Sequence, residues 1–269
     1  MKNLLALPLL LSLTTLCAIE LKVDMGTGLF YSGAKGRIDY VETSFENSYA
    51  KTDLQTSSQV YIWADFTTSN PYIPKVRLEY LKVSADGDSL AHLESGNPKF
   101  QAIIDEWVNN SIIKLNDQVW KSHLQHNVYD ASLYYEFFEK DPWPSIGLGL
   151  GYRYFDYIYI MDVDLLPGLQ MGDRDSSSAP MLFLTSRYDI PAVNLGFQGD
   201  GKVYVFGDSE IYDYQVKLDL MFDITEKSSA GLEFGYRYQY YNLLGEDVEK
   251  VKGNMKYQGI FIGAVINFK

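Results

Sequence analysis

Ile211–Thr225 reads IYDYQVKLDLMFDIT, with Tyr212, Tyr214, Val216, Leu218, Leu220, Phe222 and Ile224 on even positions. The odd positions carry Asp213, Gln215, Lys217, Asp219 and Asp223. Wound as a helix, the stretch would scatter its charges around the whole surface. Drawn out as a strand, it puts all but Ile211 and Met221 of the apolar side chains on one face and every polar one on the other. The alternation also persists far beyond the usual strand of about five or six residues.

The same grammar extends in both directions. Downstream, Ala230, Leu232, Phe234, Tyr236, Tyr238 and Tyr240 share one face against Glu233, Gly235, Arg237 and Gln239. At the end of the chain, Ile260, Ile262, Ala264, Ile266 and Phe268 oppose Gly259, Phe261, Gly263 and Asn267. Upstream, residues 145–155 and 129–137 alternate likewise, as do the stretches around Val60–Phe66, Val76–Tyr80 and Leu21–Met25. Noisier strands at 181–190 and 192–205 bring the expected number to about ten.

The connections sort into two kinds. Alternate links are short, at 68–73, 139–143, 190–191 and 225–228. The intervening links at 32–56, 86–121, 161–179 and 243–254 are long, and 206–210 is the one short exception. An even number of long amphipathic strands with alternating short and long links predicts an all-β fold. The form expected is a closed antiparallel transmembrane β-barrel with both termini on the periplasmic side. A secreted lipocalin-like barrel would share the alternation, but strands of eleven or more residues suit a tilted bilayer crossing of about 9–11.

Composition agrees. The 269 residues carry 23 Lys+Arg against 35 Asp+Glu, a net charge of −12, which excludes a nucleic-acid partner for want of a basic stripe. Tyr supplies 22 of the rings, beside 14 Phe and 4 Trp, as expected of interfacial aromatic girdles. The single Cys excludes a disulfide scaffold or a Cys-based zinc site. Residues 1–18, MKNLLALPLLLSLTTLCA, read as a secretory signal peptide: Lys2, an apolar run too short to span a bilayer, then small Ala18. Bulky Leu16 before Cys17 argues against a lipoprotein. Residues 19–269 then form the barrel, and no apolar run outside the leader is long enough for a transmembrane helix.

The stretches YIWADF and NPYIPKVRLEY within 61–80, YDASLYYEF (129–137), GLGYRY (149–154), SEIYDYQVKLDL (209–220), LEFGYRYQYYNL (232–243) and YQGIFIGAVINF (257–268) resemble the uncharacterised outer-membrane β-barrel proteins of Gram-negative proteobacteria. The resemblance implies a fold and a location in the bacterial outer membrane, reached through the periplasm; its motifs are strand-turn patterns rather than catalytic signatures and imply hardly anything about activity. It also implies contact with outer-membrane lipids, lipopolysaccharide and the barrel assembly machinery. The last strand resembles the assembly signal of such barrels through Gly263, Ile266 and Phe268, with the aromatic residue penultimate and Lys269 after it.

Inward strand positions hold four of the six Arg, at 77, 153, 187 and 237. They lie among inward carboxylates: Glu79, Asp130, Glu136, Asp189, Asp213, Asp219, Asp223 and Glu233. A guanidinium fork can bridge two carboxylates, so a lumen charge network is expected. Such a network either fills and neutralises the barrel or lines a narrow or gated pore for small solutes. Inward Tyr61, Trp63, Tyr134 and Phe155 narrow the bore, whereas Gly147, Gly149 and Gly151 make room beside them. After Asn97-Pro98, Phe100, Ile103, Ile104, Trp107, Val108, Ile112, Leu115 and Val119 recur at helical spacing, predicting an amphipathic helix within the extracellular loop 86–121. A loop-borne adhesin or ligand-binding role would rest there.

Ten-stranded outer-membrane barrels include the omptin proteases, which use acidic residues with a His at the extracellular rim. Of His92, His123 and His126, the last two are expected near that rim, but the omptin pattern is not matched. No nucleotide loop, nucleophile elbow or metal-ligand cluster is recognisable. The acidic pairs Asp162/Asp164 and Asp173/Asp175 read as solvated charge rather than a Ca²⁺ site. The expectation is a monomeric, non-enzymatic outer-membrane barrel without cofactor or metal, structural or surface-exposed in role.

Overall fold

The computed structural model describes residues 20–40, 49–92, 118–137, 143–162, 170–243 and 251–268. Ten strands follow in order: β1 (Leu21–Tyr40), β2 (Tyr49–Thr68), β3 (Lys75–His92), β4 (Gln118–Phe137), β5 (Ser145–Asp162), β6 (Gln170–Ile190), β7 (Leu195–Phe206), β8 (Ser209–Thr225), β9 (Ser228–Leu243) and β10 (Val251–Phe268). Each pairs antiparallel with its sequence neighbours, and β10 closes the barrel on β1, from Val23 opposite Phe268 to Tyr40 opposite Val251. The start of β1 and the end of β10 therefore lie at one mouth, called the base here.

Turn chemistry fixes the base. Asn70 accepts from the Tyr72 amide through its side chain at 3.0 Å and from the Ile73 amide through its carbonyl at 3.1 Å. Pro191–Val193 forms a single 3-10 turn, followed by Asn194 in the left-handed region (φ 54°), where Asn is tolerated better than most residues. At the distal mouth, Gly207 (φ +56°) opens the two-residue turn between β7 and β8, a backbone shape that suits a residue without Cβ. The β1–β2 ladder shifts register between Ser32 and Ala34, and β2–β3 between Leu54 and Tyr61.

The strands are longer than the pattern predicts and the links correspondingly shorter. Residues placed in the long links at 32–56, 86–121, 161–179 and 243–254 instead extend β1 to β6, β9 and β10. The predicted strand 192–205 starts later, at Leu195, because 191–194 makes the turn. Val119, the last residue of the predicted helix, lies in β4; the rest of that helix, the predicted signal peptide and Lys269 lie outside the described residues.

Along a strand the two faces exchange character. On β1, exposed Leu21, Met25, Leu29 and Tyr31 are followed outward by Lys35 and Arg37, while the inward side passes from Lys22 and Asp24 to buried Phe30 and Ala34. On β4, outward Tyr135, Leu133 and Tyr129 give way to Gln125, His123 and Lys121 as inward Asp130 gives way to Val128, Leu124 and Trp120. The apolar outer band from Leu21 to Tyr31 rises about 25 Å at the usual rise and tilt, the height of a barrel's lipid-facing belt. Twenty-residue strands such as β1, β2 and β4 rise about 50 Å by the same arithmetic. The distal part of the wall thus stands clear of any bilayer around the band, with a water-facing outside and an apolar core of its own.

Candidate functional site: the charged ring across the lumen

Inward residues from six strands meet at mid-height. Glu79 of β3 accepts from Lys202 of β7 at 2.9 Å, and Lys202 turns to Asp130 of β4 at 2.6 Å. Arg153 of β5 holds Asp130 with two parallel bonds of 2.7 Å and also grips Asp213 of β8. Asp213 accepts two bonds from Arg237 of β9, at 2.9 and 2.6 Å, and Arg237 returns to Glu79 at 3.2 Å. Cation and carboxylate alternate around a closed ring of six side chains.

Two clusters flank the ring. Arg77 joins it through Glu79 at 2.7 Å and reaches Asp65 and Asp200 at 3.3 and 3.1 Å. Toward the base, Lys217 pairs with Glu233 at 3.1 Å, and Arg187 with Asp219 at 2.9 Å. Glu233 accepts from the Tyr61 hydroxyl at 2.6 Å and from Trp63 Nε1 at 3.0 Å, and Lys217 Nζ lies 3.9 Å from the Trp63 ring centre. Six cations thus face seven carboxylates, nearly all buried, so the lumen is close to neutral although the chain is strongly acidic.

Of the residues expected to form the network, Arg77, Glu79, Asp130, Arg153 and Arg237 lie in the ring or joined to it, and Glu233, Arg187 and Asp219 lie in the base-side cluster. Glu136 does not join them: it pairs with Lys75 at the base rim. Asp189 is exposed there and bonded to Arg187, while Asp223 is exposed without reaching the ring. Asp200 and Lys202 were missed because glycine-rich β7 alternates weakly. The parity of Gln198, Asp200 and Lys202 against exposed Phe197 was the available signal.

Distal to the ring the lumen fills with rings and aliphatic side chains. His126 is buried there among Phe155, Tyr157, Tyr241 and Tyr257, with ring centres 4.9 to 6.5 Å away and no hydrogen-bond partner on either nitrogen. It is therefore inside the barrel and not at a rim; His123 points outward and bonds Asp86 at 2.6 Å. Next to the ring, a void of about 10 Å³ between Phe30, Tyr61, Leu81, Phe261, Gln215 and Arg237 has room for about one water. On the base side, two adjoining cavities of about 390 and 450 Å³ share Asp24, Trp63, Arg187 and Asp189. Among the described residues, no group of three or more His, Cys, Asp or Glu is placed to hold a metal.

A closed ten-strand antiparallel barrel, apolar outside and ion-paired within, defines the class: the fold of outer-membrane β-barrels. Among solved structures, the outer-membrane protease OmpT of Escherichia coli is similar, with a TM-score of 0.51 at 10% identity over 92% of this chain and 96% of that one. Neisserial surface protein A aligns at a TM-score of 0.28 with 13% identity over 93% and 98% of the two chains, too low to add to the assignment. No protein-family model matches this sequence, and no curated protein does. The likeness is one of fold.

Proposed function

We propose that this chain is an integral outer-membrane barrel, inserted with its base in the periplasm and its distal part standing outside the cell, and that it serves a structural or surface-exposed role with a closed lumen. The observation that carries this reading is the ring of alternating charge spanning the bore, capped by packed aromatic residues. A hydrated solute could pass only by parting pairs whose separated charges would stand unpaired in a water-poor interior. Incorporated into planar bilayers, the folded protein is expected to give no conductance steps. Reproducible steps would overturn the closed-lumen reading and favour a narrow pore fed from the base cavities.

We read the barrel as non-enzymatic. His126 is enclosed by rings, and the His123–Asp86 pair lies on the outer wall, away from the bore. Loss of a measured peptidase activity in His126→Ala would contradict that reading. We further propose a monomer that meets outer-membrane lipids, lipopolysaccharide and the barrel assembly machinery.

A further inference from the structure

The smaller of the two base cavities, about 390 Å³, has the volume of a site for a small organic ligand. Four carboxylates border it, Asp24, Asp189, Asp219 and Asp223, against the single guanidinium of Arg187, which leaves three negative charges in excess. Arg187 is already committed, to Asp189 at 2.9 Å and to Asp219 Oδ2 at 2.9 Å. Asp24 accepts from the Asn267 side-chain amide, and among the described residues no cation pairs with it or with Asp223. Asp219 is 1% exposed, yet its Oδ1 has no hydrogen-bond partner: Lys217 Nζ stands 3.8 Å off and bonds Glu233 at 3.1 Å instead. The side-chain oxygen of Asn267 is buried without a partner as well. The adjoining cavity does not restore the balance, because there Lys75 pairs with Glu136, Arg77 holds Asp65, and only exposed Lys22 adds a positive charge.

The spacing of the acceptors decides which kind of cation fits. Among the described residues, no three acidic groups converge as the ligands of one metal ion would. Strand register sets Asp24, Asn267, Ser229 and Asp223 side by side on β1, β10, β9 and β8, in a row at the cavity mouth. Asp219 lies four residues deeper on β8, about 13 Å from Asp223 at the usual rise per residue. Met221 stands between those two on the same strand, and Leu195 and Val265 add apolar wall. A compact hydrated ion would serve one end and leave the other unmatched. A methylene chain carrying several ammonium groups serves both, its nitrogens donating to separated oxygens and its stem covering the apolar wall. We infer that this cavity binds a linear aliphatic polyamine, with one terminal ammonium on Asp219 Oδ1 at the closed end and the others along the mouth row of Asp24, Asn267 and Asp223. The ligand is held short of the charged ring, so the closed lumen is unaffected.

The test titrates the full-length folded barrel in neutral detergent with spermidine, read by calorimetry, and so decides the site whichever side of a membrane the base faces. One saturable site is expected, with propylamine and Mg²⁺ each binding at least about tenfold more weakly, since every charge-assisted hydrogen bond forgone costs about that factor. In D24N/D223N neither altered carboxylate has a cation partner, so no buried charge is stranded. Its spermidine affinity should fall at least about tenfold while its heat-modifiability on gels persists. D86N/D88N, which removes as much charge from the distal outer wall, should bind as wild type does. Wild type without saturable binding, or with equal affinity for propylamine, overturns the inference without recourse to any variant. Equal affinity for Mg²⁺ would assign the cavity to a compact cation and overturn it too. An equal fall in D86N/D88N and D24N/D223N would reduce the binding to attraction by the net charge of −12 and refute the site.

Discussion

Arg153 is fully enclosed, and its fork is committed to Asp130, Asp213 and the Tyr241 hydroxyl, the last at 3.0 Å. Truncation leaves Asp130 with Lys202 alone and Asp213 with Arg237 and Gln239, two buried carboxylates short of a shared cation, so Arg153→Met is expected to cost about 3 kcal/mol in urea unfolding from vesicles. Arg153→Lys should fall between, because an ammonium cannot reproduce the planar double bond to Asp130. His126 presents the opposite case. Its two nitrogens lack partners inside an aromatic box, so exchanging the polar ring for a hydrocarbon removes a penalty of about 1–3 kcal/mol while giving up ring contacts. His126→Leu should leave stability unchanged or slightly raised in the same assay. A marked loss would mean that the ring contacts outweigh the stranded nitrogens.

Among the elements, β5 shows how small residues make space for large ones. A Cβ on Gly147 would stand 2.5 Å from Thr185 Cγ2 and 2.9 Å from Tyr134 Cδ2, displacing the ring whose hydroxyl bonds Asp65 at 2.8 Å. Gly147→Val is expected to destabilise by about 1–3 kcal/mol, read as a lowered temperature of heat-modifiability on gels. β10 closes the wall through both β9 and β1, so deletion of 260–269 should abolish the heat-modifiable form; its persistence in outer-membrane fractions would refute the role assigned to Gly263, Ile266 and Phe268. The lower halves of the strands were legible because one rule, apolar outward, held from Leu21 to Tyr31 and from Tyr129 to Phe137. Above the belt that rule reverses. Leu81, Val83 and Ala85 turn inward while Lys82, Asp86 and Asp88 turn outward, so a search for an outward apolar stripe ended too early and assigned strand to loop. The network was half legible for a related reason: Arg77, Arg153 and Arg237 sit on strongly patterned strands, and Lys202 on one where glycines erase the pattern.

At the scale of the whole molecule, the barrel is two joined objects with one backbone. The base half follows the plan of a membrane barrel, apolar outside with its charges in the middle, whereas the distal half follows the ordinary plan of a water-soluble barrel. A charge placed on the lipid face at mid-band costs about 2–4 kcal/mol, so Leu133→Lys should impair folding in vesicles by that amount. Gln125→Lys, outward on the same strand but above the belt, should be silent in that measurement. Leu124→Lys, one position further and inward, should again be damaging, because it places a charge in the distal core. Saturation mutagenesis walked along β4 would therefore record a two-residue wave of tolerance that slips by half a period between Tyr129 and Gln125. Below the slip, selection spares the residues facing inward for their charge and the outward ones for their grease; above it the assignments trade places. The position of that slip, strand by strand, would trace the waterline of the bilayer around the protein from genetics alone.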